Sequence, residues 1–376
     1  MITKRGRPSF PGLDIAADKP VVKRRRTNAV PIGERAAGRK RLRHRSTGRP
    51  PKVDYFDCLP DDIVLSVLSK LSSSADSSAD FFSALITCKR FNGLGFHPMV
   101  LSVASLKMLA VKAASWTGST HRFLKLCSDA GNVEACYILG MIRFYCFRNR
   151  ASGASLMAKA AIASHAPALY SLAIMHFNGS GRSKTDKDLR AGVALCARAA
   201  SMGHLDALRE LGHCFQDGYG VKRNVVEGRR LLVQANVNEV FAAYAAAAPP
   251  VNSWEALNPV RRYDIHVGGV ASCPLLSDFG CNVPVPEPHP ANKFLTEWFL
   301  PFAGIPGVEL RVCCNPGCGR PELRRHEFRR CSVCGSVNYC SRACQAMHWR
   351  SRHRSECVPT VRWPVAGLEN PAVNIN

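Results

Sequence analysis

Four positions of this chain return at a single offset. Ala168, Leu172, Gly179 and Gly181 recur as Ala207, Leu211, Gly218 and Gly220, each 39 residues later. Upstream, Ala135, Leu139 and Phe144 precede Ala168, Leu172 and Phe177 by 33 residues. A fixed period of roughly 20–50 residues confines a chain to stacking one supersecondary unit on the next. From about residue 105 to 236 the sequence is rich in Ala and Leu, so the stacked unit reads as a helical hairpin. Small residues let helices approach closely, and the Gly-x-Gly pairs turn the chain back. Three units meet the minimum for a stable solenoid. The first lacks the Gly-x-Gly turn and reads as a degenerate cap.

The second constraint lies near the C-terminal end. Cys314-x3-Cys318, Cys331-x2-Cys334, Cys340-x3-Cys344 and His353-x3-Cys357 are four closely spaced ligand pairs within residues 314–357. A pair two or three residues apart supplies two ligands from one turn, and eight ligands close two tetrahedral zinc sites. Such sites leave no open coordination position, so the zinc is expected to be structural and not to activate water. Cys313 stands beside Cys314 as an alternative first ligand, and His348 is a rival imidazole to His353.

The Met1 start runs into Lys4, Arg5 and Arg7 without an apolar leader, which argues against secretion. In a reducing compartment, clustered cysteines read as metal ligands and scattered ones as small buried apolar residues. The longest apolar candidate, residues 241–248, is far short of the about 20 residues needed to span a bilayer, so no membrane partner is expected.

With 376 residues and 46% hydrophobic composition the chain should hold two or three packed domains. Its net charge of +23 is unevenly spread: residues 1–52 carry 16 Lys and Arg against 3 Asp and Glu, and residues 309–357 carry 10 against 4. The first stretch is poor in aromatics and rich in Gly and Pro, and is expected to be a disordered basic tail. Lys23-Arg24-Arg25-Arg26 and Arg39-Lys40-Arg41-Leu42-Arg43 are runs of the kind importins recognise, giving an expected nuclear location. Arg5-Gly6-Arg7-Pro8 and Gly48-Arg49-Pro50 resemble the AT-hook core, and the resemblance implies a weak minor-groove DNA contact as the alternative to simple import.

Residues 53–100 change character. Ile63, Val64, Val67, Leu68 and Leu71 recur at helical spacing behind Leu59-Pro60-Asp61-Asp62, and Pro60 with the two acids suits a first helical turn. A Ser-rich gap over residues 72–78 precedes a second apolar helix that leads into Cys88-Lys89-Arg90-Phe91. This order resembles the F-box, a small helical hairpin that docks on the SKP adaptor of SCF ubiquitin ligases. The resemblance implies adaptor contact through Leu59, Pro60, Ile63 and Leu68.

The repeats, with Gly203-His204-Leu205-Asp206-Ala207 at a junction, resemble SEL-like repeats, relatives of the tetratricopeptide family. That family uses a concave face for protein partners, although a purely structural spacer remains an alternative; His176, His204 and His213 read as packed or surface residues. Residues 237–308 contain several prolines and read as a linker, with Phe294, Trp298, Phe299 and Phe302 expected to dock on the last repeat or the zinc module. The tail of residues 359–376 is expected to be mobile.

The cysteine pairs with Tyr339, Gln345 and Trp349 resemble the MYND zinc finger. Its pairs interleave, which implies Cys314, Cys318, Cys340 and Cys344 on one ion and Cys331, Cys334, His353 and Cys357 on the other. The family's first pair is normally two residues apart, here three. Non-enzymatic MYND fingers bind short Pro-containing peptides, which implies that role for Gln345 and Trp349. The Asn-His-Ser-Cys motif of the methyltransferases that carry this finger is not present, and no catalytic site is expected.

A mainly α chain with these three modules resembles a group of plant F-box proteins. The implied function is the target-recognition subunit of an SCF-type ubiquitin ligase, partnered by an SKP-type adaptor and a cullin. The alternative is a nuclear transcriptional adaptor that uses the finger for peptides and the tail for DNA.

Overall fold

The structure is a computed structural model and describes residues 58–180, 184–247, 285–302 and 311–359. The basic runs, the AT-hook-like segments, Gly181, much of the proline-rich stretch, the side chain of Phe302 and residues 360–376 lie outside the described residues.

The chain begins with short helices: α1 (Asp61–Ser74), α2 (Ser78–Leu85), α3 (Lys89–Gly95), α4 (Pro98–Leu101) and α5 (Leu106–Leu109). Asp61 and Asp62 sit in the first turn of α1, where the helix dipole favours negative charge, and Val64, Leu68 and Ser72 form its buried stripe. The Ser-rich residues 72–74 belong to this helix and are not a gap, because Ser72 is fully buried and donates to the carbonyl of Val100 at 3.0 Å. Ser77 and Cys88 cap α2 and α3 through their side chains. Three helices therefore replace the expected hairpin. Arg90 on α3 donates to the Leu59 carbonyl and reaches Asp61 Oδ1 at 2.6 Å, so the Leu-Pro and Cys-Lys-Arg segments meet.

Helix pairs follow: α6 (Gly118–Asp129) with α7 (Val133–Met141), α8 (Arg150–Ile162) with α9 (Ala166–Asn178), and α10 (Leu189–Ser201) with α11 (Leu205–Asp217). The repeat signal is a burial and capping signal. Ala135, Ala168 and Ala207 are completely buried, and each donates its N–H to the N-cap side chain three residues earlier, Asn132, His165 and His204. Gly179 and Gly218 end α9 and α11 in the left-handed conformation, with φ of 62° and 71°. Where the first unit lacks Gly-x-Gly, a π-helical turn over Ile142–Cys146 and a positive φ at Arg148 reverse the chain. That first unit is not an exposed end: Asn132 Nδ2 donates to the carbonyls of Leu101, Ser102 and Ala104, binding it to the preceding helices.

Helix α12 (Val225–Ala247) packs on α11 and carries the helical stack past residue 236, beyond the expected boundary. Helix α13 (Pro290–Phe299) lies in the stretch read as linker. It docks on the first repeat rather than the last, with Phe294 5.3 Å from Trp116 and Trp298 5.8 Å from Phe147. It also touches the C-terminal module: Asn292 Nδ2 donates to the Cys318 carbonyl at 2.7 Å. Gly319 has φ +67°, and a side chain there would meet the Thr296 backbone nitrogen at 2.4 Å.

That module, from residue 311, has a two-stranded antiparallel sheet, β1 (Arg329–Arg330) and β2 (Asn338–Tyr339), and the helix α14 (Arg342–His348), which continues through a π-helical turn over Trp349–His353. Among the described residues no helix is long and apolar enough to cross a membrane.

Candidate metal centres and the basic cleft beside them

Two groups of ligand atoms converge in the C-terminal module, each within 4.8 Å: Cys313, Cys318, Cys340 and Cys344; and Cys331, Cys334, His353 and Cys357. The groups interleave along the chain. Sulfur separations are 3.5 Å for Cys318 to Cys340, 3.6 Å for Cys340 to Cys344 and 3.9 Å for Cys331 to Cys357, and Cys334 Sγ lies 3.5 Å from His353 Nε2. A tetrahedron with Zn–S of about 2.3 Å and Zn–N of about 2.0 Å has S–S edges near ~3.8 Å and S–N edges near ~3.5 Å. Both the spacing and the all-sulfur and sulfur–imidazole donor sets fit zinc.

The first ligand differs from the expected one: Cys313 joins the group, and Cys314 does not. The segment is extended, with Val312 bridged to Pro321, so successive side chains face opposite ways. Cys313 points inward, while Cys314 Sγ accepts the Asn338 N–H at 3.3 Å. His348 is also outside the groups. Its Nδ1 meets the Tyr339 hydroxyl at 3.0 Å and its ring stacks on His353.

Within the first group, hydrogen bonds from Cys313, Cys340 and Cys344 hold the Cys318 thiol well below its ordinary range. Arg320 answers this negative charge. It is 4% exposed, its Nη1 is 3.5 Å from Cys318 Sγ, and its Nη2 donates to Ser171 of α9 at 2.8 Å. One guanidinium thus binds the metal centre to the repeats.

The finger is folded back onto the helical stack along its length. Tyr170 OH meets Ser341 Oγ at 3.2 Å, and Asn178 Nδ2 donates to the Cys340 carbonyl at 2.9 Å. Arg324 donates to the carbonyls of Asn178 and Gly179, occupying the C-terminal end of α9. Buried Glu210 of α11 accepts the Ala343 N–H at 2.8 Å; its burial holds the carboxyl above its ordinary range. Arginines that composition alone would leave on a solvated face are therefore in large part internal fastenings.

A third group, Glu134, His165 and His289, also has its ligand atoms within 4.8 Å. It is a clamp and not a metal site. Nδ1 of His165 accepts the Ala168 N–H and Nδ1 of His289 accepts the Ala291 N–H, so each neutral ring carries its proton on Nε2. Those Nε2 atoms face Glu134 at 3.0 and 3.2 Å. A metal would require both rings to give up that proton while still accepting on Nδ1.

Between α11, α12 and α14 lies a cleft of about 650 Å³. Gln345 and Trp349 both line it, and Trp349 is 39% exposed while its ring edge packs on His353 at 5.7 Å. The opposite wall belongs to the repeats and includes His213, Leu232 and Asn236. No local motif marks those wall residues, and nothing in the sequence sets the acids beneath them, such as Glu239, apart from surface acids.

The residues expected to meet an adaptor separate. Pro60 and Ile63 are exposed, Leu59 is half-buried, and Leu68 is 2% exposed in the core. Leu68 therefore offers no surface and holds α1 to its neighbours instead. Val67 and Ile86 are exposed as well.

Residues 313–357 match the MYND finger family, residues 205–235 the Sel1 repeat, and residues 108–198 the plant tetratricopeptide repeats. An F-box protein of Arabidopsis thaliana is 62% identical over 312 residues, covering 83% of this chain and 82% of that protein. A second from the same plant is 56% identical over 316 residues, covering 84% and 89%. A solved Sel1 repeat protein from Oxalobacter formigenes is 22% identical over 38% of this chain and 95% of its own, with a TM-score of 0.27, too low to add to the repeat assignment.

Proposed function

This chain belongs to the plant F-box proteins that carry Sel1-like repeats and a MYND finger, and we propose that it is the target-recognition subunit of an SCF-type ubiquitin ligase. The observation that carries this reading is the apolar set Pro60, Ile63, Val67 and Ile86. Ile63 on α1 and Ile86, the residue that follows α2, are 46% and 79% exposed, while Val64 and Leu68 of α1 and Phe81 and Leu85 of α2 are buried in the core. Exposed aliphatic side chains on a rigid support are suited to burial by a partner protein, here an SKP-type adaptor with its cullin. The same unit holds the finger and the cleft with Gln345 and Trp349, which supports target-peptide binding there. The two metal groups, each with four protein ligands, would hold structural zinc and leave no position for an activated water. The chain then presents a target, and the bound ligase carries out ubiquitin transfer. Nuclear location rests on the basic runs of residues 1–52, and DNA contact by those residues is a separate question.

The test is co-purification with the SKP adaptor. Wild type should bind, and Ile63→Asp with Ile86→Asp should not, with the unfolding midpoint unchanged. Adaptor binding that survives both substitutions, or its absence in wild type, would sink the reading.

A further inference from the structure

We infer that the cleft between the finger and the last repeat selects peptides whose apolar anchor is flanked by Asp or Glu side chains. The inference rests on the peptide-binding reading of Gln345 and Trp349 and adds what the finger alone does not specify, which is charge.

The cleft is a composite. Trp349 and Met347 supply apolar surface from the finger, and Leu232 faces them from α12. Around that surface stand five arginines, Arg209, Arg329, Arg342, Arg350 and Arg354, against one lining carboxylate, Asp217. Asp217 is already bound by Arg342. Beneath the cleft the imbalance continues, since the single carboxylate of Glu239 serves both Arg209 and Arg350. Arg209 is 4% exposed and its buried Nη1 has no hydrogen-bond partner, its second carboxylate, Asp206, lying 3.6 Å away. A guanidinium buried in this way between the two walls gains more from an added anion than one on an open surface.

The shape decides the class of partner. A nucleic-acid duplex needs basic groups spread along an open face, whereas these converge into about 650 Å³ between two walls, with an aromatic ring on one side. That volume takes a few residues of extended chain. An apolar side chain against Trp349 and Leu232, with carboxylates reaching the arginine rim, satisfies both features.

The experiment uses the full-length, zinc-loaded chain and a displayed library of short random peptides, with selected peptides then measured by fluorescence anisotropy. Selected peptides should be enriched in Asp and Glu beside an apolar residue and should be lost with Trp349→Ala. Exchanging their acids for Asn and Gln should weaken binding on the order of tenfold. Arg329→Gln with Arg354→Gln should weaken the acidic peptides and leave the amide-exchanged ones unchanged. Trp349-dependent peptides with no acidic enrichment and no response to the arginine substitutions would overturn the inference while leaving the peptide-binding reading standing. If no peptide is selected, or if a DNA duplex displaces the selected ones, the inference falls; the first of these results also removes the peptide-binding role of the finger.

Discussion

Arg350 of the finger closes on Glu239 of α12 through two hydrogen bonds of 2.5 and 2.7 Å, with the side chains only 6% and 2% exposed. Arg209 of the repeats reaches the same carboxylate. Removing it strips Arg350 and Arg209 of the buried carboxylate they share, so Glu239→Ala should lower the unfolding free energy by about 3–5 kcal/mol in denaturant titration. Lys107→Ala, which breaks a pair exposed to water, should leave the midpoint where it is. Equal effects would mean that the Arg350 contact does not fasten the finger.

The identity of the first ligand is open to direct measurement. Zinc content by mass spectrometry should be two ions per chain in wild type and in Cys314→Ser, and one in Cys313→Ser. Loss of an ion from Cys314→Ser instead would return the ligand role to Cys314.

Because Arg320 joins Cys318 to Ser171, and Asn178 and Tyr170 bind the segment around Cys340, metal removal should be felt beyond the finger. Chelation is expected to lower the thermal midpoint of the helical circular dichroism signal, most of which comes from the repeats. A midpoint indifferent to chelator would show that the docked surface forms without metal.

Glu134 sets a pH response. Burial alone would raise its carboxyl, but the Nε2 groups of His165 and His289 that face it, above all by hydrogen bonding, hold it at about 2 against an ordinary 4.5. A carboxyl lowered on folding stabilises the fold above its unfolded value and loses that contribution as pH falls. Stability should therefore drop between about pH 4.5 and 2, by roughly 3 kcal/mol for this group. Glu134→Gln should show a shallower fall over that window in urea unfolding, and identical slopes for the two proteins would remove the clamp from the account.

The helices near the N-terminus separate two kinds of leucine-type position. Leu68→Ala should destabilise by about 2–5 kcal/mol, since it opens a cavity in the core. Ile63→Ala removes an exposed side chain and should leave the unfolding midpoint unchanged. The reverse ordering would mean that α1 presents its other face.

The readings that sequence carried were those whose cause is local. The 39-residue offset is legible because Ala168 and Ala207 each fill a fully buried site just after an N-cap, and Gly179 and Gly218 each end a helix where a left-handed residue is required. The ligand pairs are legible because two cysteines on one turn are already close before anything else folds. Tertiary structure decided the rest. Cys313 rather than Cys314 faces the first metal centre because strand alternation and the Asn338 contact orient an otherwise ambiguous pair. The register between finger and repeats depends on partners more than a hundred residues apart, Glu210 with Ala343 and Glu239 with Arg350. A carboxylate and a guanidinium carry no sequence mark saying which will be buried against which. Only the folded chain brings the arginines of the finger onto the acids of the solenoid, and in doing so it gathers five arginines around one cleft.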